Sequence, residues 1–324
     1  MLLRRRIIIK KILVCGGTGF IGRNAIEFFS KSQEYKVFAT YHNSKPFDDK
    51  NVEWIYADLR NASEVSELIN NFDILIQGAA TTSGVKDSFD RPDYHVTDNA
   101  LMNSIIFREA NLKKVGHVIF FSCTTMLKSS SNSQTEDSFD ANSELYSRYF
   151  GVGWTKVYLE KMCEFFSRQG NTKFTVIRHS NVYGPWDKYG LENSHVFGAT
   201  ITKVLSAKGS VKIWGTGQEK RDLLYIDDLI KLVELAINKQ SPPFRIFNAG
   251  GGVDISIKDL TQLIAQMANK TVSLEFELDK PSVDFSILLD NSRAESELGW
   301  APEVSLNEGI LRSIKFWNEN IEVI

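Results

Sequence analysis

Short apolar runs alternate with amphipathic stretches along the first half of the chain. The runs predict strands at 11–15, 36–41, 52–57, 72–77, 118–121 and 174–178. Stretches between them, such as 24–30 and 63–70, have the composition and length of helices. Alternating strands and helices predict an α/β fold with a doubly wound parallel sheet, and ligands in such folds lie along the carboxyl ends of the strands.

The length of the chain indicates more than one structural unit. The sequence has 324 residues, of which 43% are hydrophobic. A single core seldom serves so many residues, so we expect a large domain with a smaller attached lobe. We predict the large domain over 11–180 and a C-terminal lobe over 181–324, with segments of the lobe returning to the first domain.

Charge and cysteine content exclude several classes of function. A net charge of −2 gives no field that would attract nucleic acid or an anionic membrane. The apolar run at 7–9 is too short to span a bilayer and lacks the cleavage site of a signal peptide. Three widely spaced cysteines fit a reducing cytoplasm, and neither they nor the five histidines form a metal motif.

A glycine turn directly follows the first predicted strand. Gly16, Gly19 and Gly22 are each three residues apart, and a helix is predicted just after them. The first glycine permits a tight turn, the second lets the backbone approach a pyrophosphate, and the third lets helix and strand pack closely. The helix N-terminus then offers free N–H groups to the phosphates. This context predicts a Rossmann-type dinucleotide site.

Other motifs follow in an order that is specific to one superfamily. They are Trp154-Thr-Lys156, the run from Arg178 to Pro185 (RHSNVYGP), and the run from Asn193 to Val196 (NSHV). With the glycine spacing, these motifs resemble the extended short-chain dehydrogenase/reductases, and the last run is most similar to the GDP-L-fucose synthase family of 4-keto-sugar epimerase/reductases. The resemblance covers about 11–319 and implies a nicotinamide cofactor and a nucleotide-sugar substrate.

The second strand ends without the carboxylate that usually binds the adenosine ribose in NAD-preferring proteins. Its polar residues and Arg23 suit a 2′-phosphate, so we expect NADP, with NAD possible and a solvated loop as the alternative. By resemblance, the expected cofactor-binding residues are Gly16, Thr18, Gly19, Phe20, Ile21, Gly22, Arg23, Thr40, His42, Asn43, Asp58, Leu59, Gly78, Ala79, Ala80, Asn99, Ser122, Lys156, His179 and Val182.

One long helix is predicted over 145–168. The superfamily carries Tyr-x-x-x-Lys here, because residues four apart share a helix face and the lysine lowers the pKa of the tyrosine. Lys156 matches the lysine, but Val152 stands in the tyrosine position and cannot transfer a proton. Tyr149 is the nearest replacement, about 10 Å along the axis from Lys156 instead of about 6 Å. An irregular helix start at Gly151 and Gly153 would bring its hydroxyl closer.

Further catalytic candidates come from the same resemblance. Thr124 is the first choice for the hydroxyl that contacts the reacting oxygen, with Ser122 and Thr125 as alternatives. His195 is the candidate acid/base, and Cys123 is its candidate partner. The expected substrate contacts are Asn181, Asn193, His195, Trp214, Arg221 and Lys280.

The family also places an arginine on the nucleotide phosphate, at a position where this chain has Ser286. Lys280 is expected to compensate in part. The missing tyrosine and the missing arginine are the two departures from the family pattern.

The sequence therefore predicts an enzyme that epimerises and/or reduces a nucleotide-linked 4-keto-6-deoxy sugar. A nucleotide-sugar 4-epimerase or 4,6-dehydratase is one alternative. A non-catalytic binder of nucleotide sugar or dinucleotide is the other, because of Val152. The resemblance also implies a homodimer formed through the long central helix.

Overall fold

The structure, a computed structural model, describes residues 9–81, 92–130, 132–170, 172–191, 194–280 and 286–320, with only the backbone of residue 92. Within these ranges the strands are β1 (Lys10–Cys15), β2 (Tyr35–Tyr41), β3 (Val52–Tyr56), β4 (Ile74–Gln77), β5 (His117–Ser122), β6 (Lys173–His179), β7 (Asn181–Tyr183), β8 (Ser210–Trp214), β9 (Lys220–Tyr225), β10 (Phe244–Ala249), β11 (Asp254–Ser256) and β12 (Ser273–Glu277).

The helices within the same ranges flank these strands. They are α1 (Phe20–Phe29), α2 (Ala62–Leu68), α3 (Pro92–Leu112), α4 (Phe150–Gln169), α5 (Val196–Leu205), α6 (Ile226–Lys239), α7 (Ile257–Met267), α8 (Ser292–Leu298) and α9 (Leu306–Asn320). No helix of the described residues combines the length and apolar character that crossing a bilayer would need.

The main sheet confirms the predicted fold class. It has seven strands in the order β10-β6-β5-β4-β1-β2-β3, and every pair is parallel. Strands β4 and β5 are buried throughout, and so are the last four residues of β1, because helices cover both faces of the sheet. The strand order reverses between β1 and β4, and ligands of such sheets bind outside that point.

The later part of the chain adds two small sheets. One has the order β11-β9-β7 and the other pairs β12 with β8. Strand β10 returns to the edge of the main sheet beside β6. The exact division at residue 180 stays a prediction, because the chain crosses between the two parts repeatedly.

The central helix begins differently from the prediction. A 3₁₀ turn over Ser147–Tyr149 precedes α4, which starts at Phe150, so the predicted regular helix from residue 145 is wrong in its first turn. The two glycines lie inside α4 and do not mark its start. A Cβ on Gly153 would come within 2.8 Å of Leu145 and 3.1 Å of the Thr125 carbonyl, and one on Gly151 within 2.7 Å of Val96. They therefore allow close packing of α4.

Candidate active site

The glycine turn lies between β1 and α1, as the sequence predicts. Gly16 has a φ of +74°, and a Cβ there would come within 2.6 Å of the backbone of Ala79. A Cβ on Gly22 would lie only 2.1 Å from the Gly16 carbonyl oxygen. Gly19 precedes α1, and no side chain caps the first N–H groups of that helix. Thr18 lies at the surface of the turn, while Phe20 and Ile21 pack on the core.

The turn after β4 forms the opposite wall of this cleft. Gly78 N donates to the Cys15 carbonyl at 3.1 Å, which holds the Gly78-Ala79-Ala80 segment beside the glycine turn. Asn99 fastens the next residue, because its Oδ1 accepts from Thr81 N at 2.9 Å and its Nδ2 donates to the Thr81 carbonyl at 3.0 Å. The side-chain amide of Asn99 therefore holds the backbone of Thr81 next to the cleft.

Two residues expected at the 2′-phosphate have other partners. Thr40 is 1% exposed, and its Oγ1 accepts from Gly16 N at 2.9 Å. The expectation that its hydroxyl contacts the cofactor is corrected: it positions the glycine turn from inside. The Arg23 guanidinium lies between two aromatic rings, 3.1 Å from the centroid of Trp186 and 4.2 Å from that of Phe47, and its Nε donates to Glu27.

Polar residues surround the end of β2. His42 is partly exposed, and its Nε2 lies 3.9 Å from Asp58 Oδ2. The Arg60 guanidinium donates to both oxygens of Asp58 at 2.9 Å and holds the pKa of that carboxyl at about 2. Asn43 is exposed and Leu59 is buried. The carboxylate nearest to His42 is therefore already neutralised by an arginine.

Lys156 reaches the carboxyl end of β5. Its Nζ donates to the Phe121 carbonyl at 2.8 Å and lies 4.8 Å from the centroid of the Phe120 ring. Burial lowers the pKa of Lys156, while the nearby Cys123 and Glu160 raise it. The ammonium therefore lies in a poorly hydrated place where a bound ribose hydroxyl would be a favourable partner.

Ser122 is fully buried, which corrects its expected contact with a ligand through the side chain. Its Oγ donates to Glu160 Oε1 at 2.6 Å. The Arg178 guanidinium donates two hydrogen bonds to the same carboxylate, from Nε at 3.0 Å and from Nη2 at 2.7 Å. The sequence motifs single out neither Glu160 nor its pairing. The one available signal was its position four residues after Lys156 on the same helix face.

The loop after β5 carries the candidate hydroxyl and thiol groups. Cys123, Thr124 and Thr125 are all partly exposed. Cys123 Sγ and Thr125 Oγ1 are 3.0 Å apart and share a hydrogen bond. The Thr125 hydroxyl is therefore hydrogen-bonded to Cys123. Thr124, the first choice for contact with a reacting oxygen, lies between these two residues in the loop.

Tyr149 is the last residue of the 3₁₀ turn that precedes α4, and Val152 lies in the first turn of the helix itself. The Tyr149 ring is half-buried and lies 5.5 Å from that of Tyr146, centroid to centroid. Burial raises the pKa of Tyr149, the Arg221 charge lowers it, and Cys123 is among the groups whose charge reaches it.

Two histidines flank the end of β6. Burial lowers the pKa of His179 to about 4, and its Nδ1 is 2.8 Å from the Ser180 carbonyl. His195 precedes α5, yet its side chain makes no capping hydrogen bond. Part of His195 is exposed, but the surrounding protein desolvates the imidazole and, with Lys188, lowers its pKa. His195 is therefore a neutral imidazole at pH 7.

The diphosphate candidates lie on β7 and β9. Asn181 Nδ2 donates to the Asp222 carbonyl at 3.0 Å, and Arg221 Nη1 donates to the Lys220 carbonyl at 2.7 Å. Asp222 is fully buried and accepts from Gly251 N at 2.6 Å, and burial raises its pKa to about 7. The sequence analysis did not identify this aspartate, which holds Gly251 against the strand bearing Arg221.

The remaining substrate candidates are more dispersed. Trp214 is 46% exposed at the end of β8, with the Lys203 ammonium 5.6 Å from its ring centroid. Lys280 is exposed, Val182 is buried in β7, and Asn193 lies outside the described residues. Ser286 N donates to Ser129 Oγ at 3.0 Å, and its carbonyl accepts from Ser130 N. Where the family has a cationic arginine, Ser286 thus joins its own loop to the loop that contains Ser129 and Ser130.

Comparisons with known proteins identify the family of this chain and its fold. A family model described as "NAD dependent epimerase/dehydratase family" matches residues 12–250. A GDP-L-colitose synthase from Yersinia pseudotuberculosis is 25% identical, over 95% of this chain and 97% of its own length. A GDP-L-fucose synthase from Azorhizobium caulinodans is 26% identical, over 97% of this chain and 98% of its own.

A solved structure shares the fold at lower identity. The UDP-glucose 4-epimerase of Thermotoga maritima, determined with UDP-glucose, superposes with a TM-score of 0.85 at 24% identity and covers 96% of this chain and 99% of its own. At this identity the likeness supports the fold alone.

Proposed function

This chain belongs to the NAD-dependent epimerase/dehydratase family, a family of nucleotide-sugar enzymes, and from that premise we propose that it epimerises and/or reduces a nucleotide-linked 4-keto-6-deoxy sugar. The names of the relatives at 25% and 26% identity support a GDP-linked deoxy sugar as the first substrate to test. The observation that carries the proposal is the meeting of the glycine turn, Lys156 and the β5 loop at one edge of the sheet.

The residues present fit a nicotinamide dinucleotide. The first N–H groups of α1 have no side-chain cap, and the exposed Gly19 before them has no side chain to block the approach of a pyrophosphate. Lys156 would hold the nicotinamide ribose, since its ammonium has donors to spare beyond the Phe121 carbonyl. When bound, the nicotinamide would supply or accept the hydride.

NADP is the proposed form of this dinucleotide. The loop after β2 contains His42, Asn43 and Lys45 and no acid before residue 48. The nearby Asp58 is held by Arg60, so a 2′-phosphate would not face a free carboxylate. We expect NADPH to bind more tightly than NADH in a calorimetric titration, and His42→Ala to weaken NADPH alone by about tenfold through loss of a charge-assisted contact. Equal losses for both dinucleotides would contradict the preference.

Tyr149 is the proposed proton donor for the reduction, since Val152 has no ionisable group. Burial keeps the Tyr149 phenol protonated at neutral pH, which is the form a general acid needs. His195, whose lowered pKa favours the neutral imidazole, would remove the proton next to the ketone from one face of the sugar, and reprotonation from the opposite face would invert that carbon. Cys123 would act on the other face of the sugar, and Thr124 would donate to the 4-oxygen.

One experiment tests the function. The protein is incubated with NADPH in deuterated buffer with GDP-, dTDP-, UDP- and CDP-linked 4-keto-6-deoxy sugars. Loss of absorbance at the NADPH band and deuterium uptake by the sugar are followed separately. Both signals with one substrate support an epimerase/reductase, and deuterium uptake alone supports an epimerase. Binding by calorimetry with neither signal contradicts the catalytic proposal and supports the non-catalytic binder.

A homodimer and a cytoplasmic location complete the proposal. Helices α3 and α4 pack side by side, and their outer faces expose Leu101, Leu112, Tyr158 and Phe165 to between 50% and 64%. Apolar side chains on adjacent helices are typical of a helical dimer interface. Light scattering after gel filtration should give twice the chain mass. Tyr158→Glu with Phe165→Glu should give the mass of one chain, and an unchanged mass would contradict this interface.

A further inference from the structure

A buried ion pair lies directly behind the proposed site, and the proposed chemistry does not use it. Glu160 on α4 and Arg178 on β6 each have side chains 4% exposed. Removing two charges from water is costly, and apolar replacements of similar volume are often at least as stable. Stability alone therefore gives no reason to keep the pair here.

The hydrogen bonds of this pair reach the end of β5 on one side and the loop that holds Glu136 on the other. Glu160 Oε1 accepts from Arg178 Nε and from Ser122 Oγ, and Oε2 accepts from Arg178 Nη2. The third nitrogen of the guanidinium, Nη1, donates to the Glu136 carbonyl at 2.8 Å. Glu136 Oε1 in turn accepts from Asn248 N at the end of β10. The Glu160 carboxylate is thus fixed in direction by donors from two strands, β5 and β6.

Helix α4 holds two consecutive residues of β5 from two consecutive turns. Lys156 Nζ donates to the Phe121 carbonyl at 2.8 Å, and one turn later Glu160 accepts from Ser122 Oγ at 2.6 Å. The next residue in the chain is Cys123, the first of the loop that carries the candidate hydroxyl and thiol groups. These two bonds fix the last two residues of β5, from which the loop extends.

We propose that Glu160, oriented by Arg178, is a positioning residue that fixes Ser122 and so sets the β5 loop in register with Lys156. The proposal rests on the function given above, because it concerns the lysine and the loop of that same site. Glu160 would touch neither substrate nor cofactor. It would act through its hydrogen bond with Ser122 and through its charge.

The charge of Glu160 matters because Lys156 is desolvated. The groups that face the ammonium are Cys123 from the β5 loop, Glu160 and Cys163 from α4, and His179 from β6. Burial lowers the pKa of Lys156, whereas Cys123, Glu160 and Cys163 raise it. Of these groups, Glu160 carries the carboxylate that accepts two hydrogen bonds from the Arg178 guanidinium.

The first test removes the charge and keeps the shape. In cofactor-free protein with ¹³C-labelled lysine, the Cε signal of Lys156 is titrated by NMR in the wild type and in Glu160→Gln. We expect the titration midpoint of Lys156 to move to lower pH in the variant. The matched control is Glu164→Gln, one turn later on α4, whose partners are the exposed Lys161 and Arg168. An unmoved midpoint in Glu160→Gln, or an equal shift in Glu164→Gln, would overturn the electrostatic part of the proposal.

The second test leaves the ion pair intact and so does not endanger folding. Ser122→Ala removes only the hydroxyl between Glu160 and β5. Hydrogen exchange of the Cys123 to Thr125 amides should become at least about tenfold faster, because the loop loses one of its two anchors. Exchange in the α4 amides near Glu160 should not change. Unchanged exchange in the loop would overturn the positioning role even if Glu160→Gln cannot be purified.

Cofactor titration separates this proposal from the proposed function. If the wild type binds NADPH, Glu160→Gln should bind it about tenfold more weakly at pH 8, with Glu164→Gln unchanged. If the wild type binds no dinucleotide, the proposed function fails, while the NMR titration and the exchange data still decide the role of Glu160.

Discussion

The start of α4 and the turn around Lys156 and Glu160 differ in how closely they follow the superfamily pattern. Lys156 and Glu160 both hydrogen-bond to β5, and Glu160 also binds Arg178 on β6. Around Tyr149 and Val152, the helix begins with a 3₁₀ turn, and a valine stands where the superfamily has its proton donor. The proposed cofactor-binding part of the helix therefore follows that pattern, and the proposed proton-transfer part departs from it. Dinucleotide binding should survive changes that abolish turnover.

The largest expected effect comes from a substitution in the glycine turn of the proposed cofactor site. Gly22→Ala should reduce dinucleotide binding by about a thousandfold or more, because a Cβ would lie 2.1 Å from the Gly16 carbonyl oxygen and the turn would have to move. Calorimetry with NADPH measures the loss. Gly190→Ala is the control, since no atom lies within 4 Å of a Cβ there. Equal binding by Gly22→Ala and the wild type would place the cofactor elsewhere.

The second effect concerns the lysine itself. Lys156→Ala should weaken NADPH binding by about a hundredfold through loss of a desolvated charged donor. Lys161→Ala, on the exposed side of the same helix, should bind as the wild type does. The same titration checks both variants. A loss of less than threefold in Lys156→Ala would show that the ammonium does not contact the cofactor.

The third expected effect is on the pH dependence of proton exchange, which is assigned to His195. Because the pKa of His195 is lowered, its imidazole stays neutral at pH 7 and becomes protonated only as the pH falls further. Deuterium uptake by the substrate should therefore be constant around pH 7 and fall on acidification, and His195→Asn should reduce it by about a hundredfold. NADPH binding should be unchanged in that variant. Uptake that persists in His195→Asn would assign the base to another group.

The smallest effect concerns the substrate side. Ser286→Arg should restore a cation near the proposed diphosphate site and tighten binding of a nucleoside diphosphate by about tenfold. Ser286→Gln, which lacks charge, is the control. Calorimetry with GDP and UDP measures both the gain and the preferred base. No gain with either nucleotide would indicate that the diphosphate lies away from this segment.

Sequence patterns predicted the fold well where one physical cause dominates. The apolar runs of β1, β4 and β5 follow from burial on both faces of the sheet, and the spacing of Gly16, Gly19 and Gly22 follows from backbone contact. Thr40 shows the limit of such reasoning. A threonine at the end of a strand can face a ligand or the interior, and only the tertiary arrangement turns its hydroxyl toward Gly16 N.

The buried network behind the site was beyond the reach of local motifs. Glu160 and Arg178 are 18 residues apart in sequence, and Ser122 is 38 residues from Glu160. Their meeting depends on the pairing of β5 with β6 and on the packing of α4 against β6. Helical spacing from Lys156 could place Glu160 on the correct face but could not name its partners.

The most direct measurement is single-turnover oxidation of NADPH in three variants: Tyr149→Phe, Val152→Tyr, and the two combined. If Tyr149 supplies the proton, Tyr149→Phe loses reduction while still binding NADPH, and the combined variant regains it from the tyrosine one turn before Lys156. If Tyr149→Phe reduces the sugar at the wild-type rate, Tyr149 is not the donor, and the account of the altered end of α4 is contradicted.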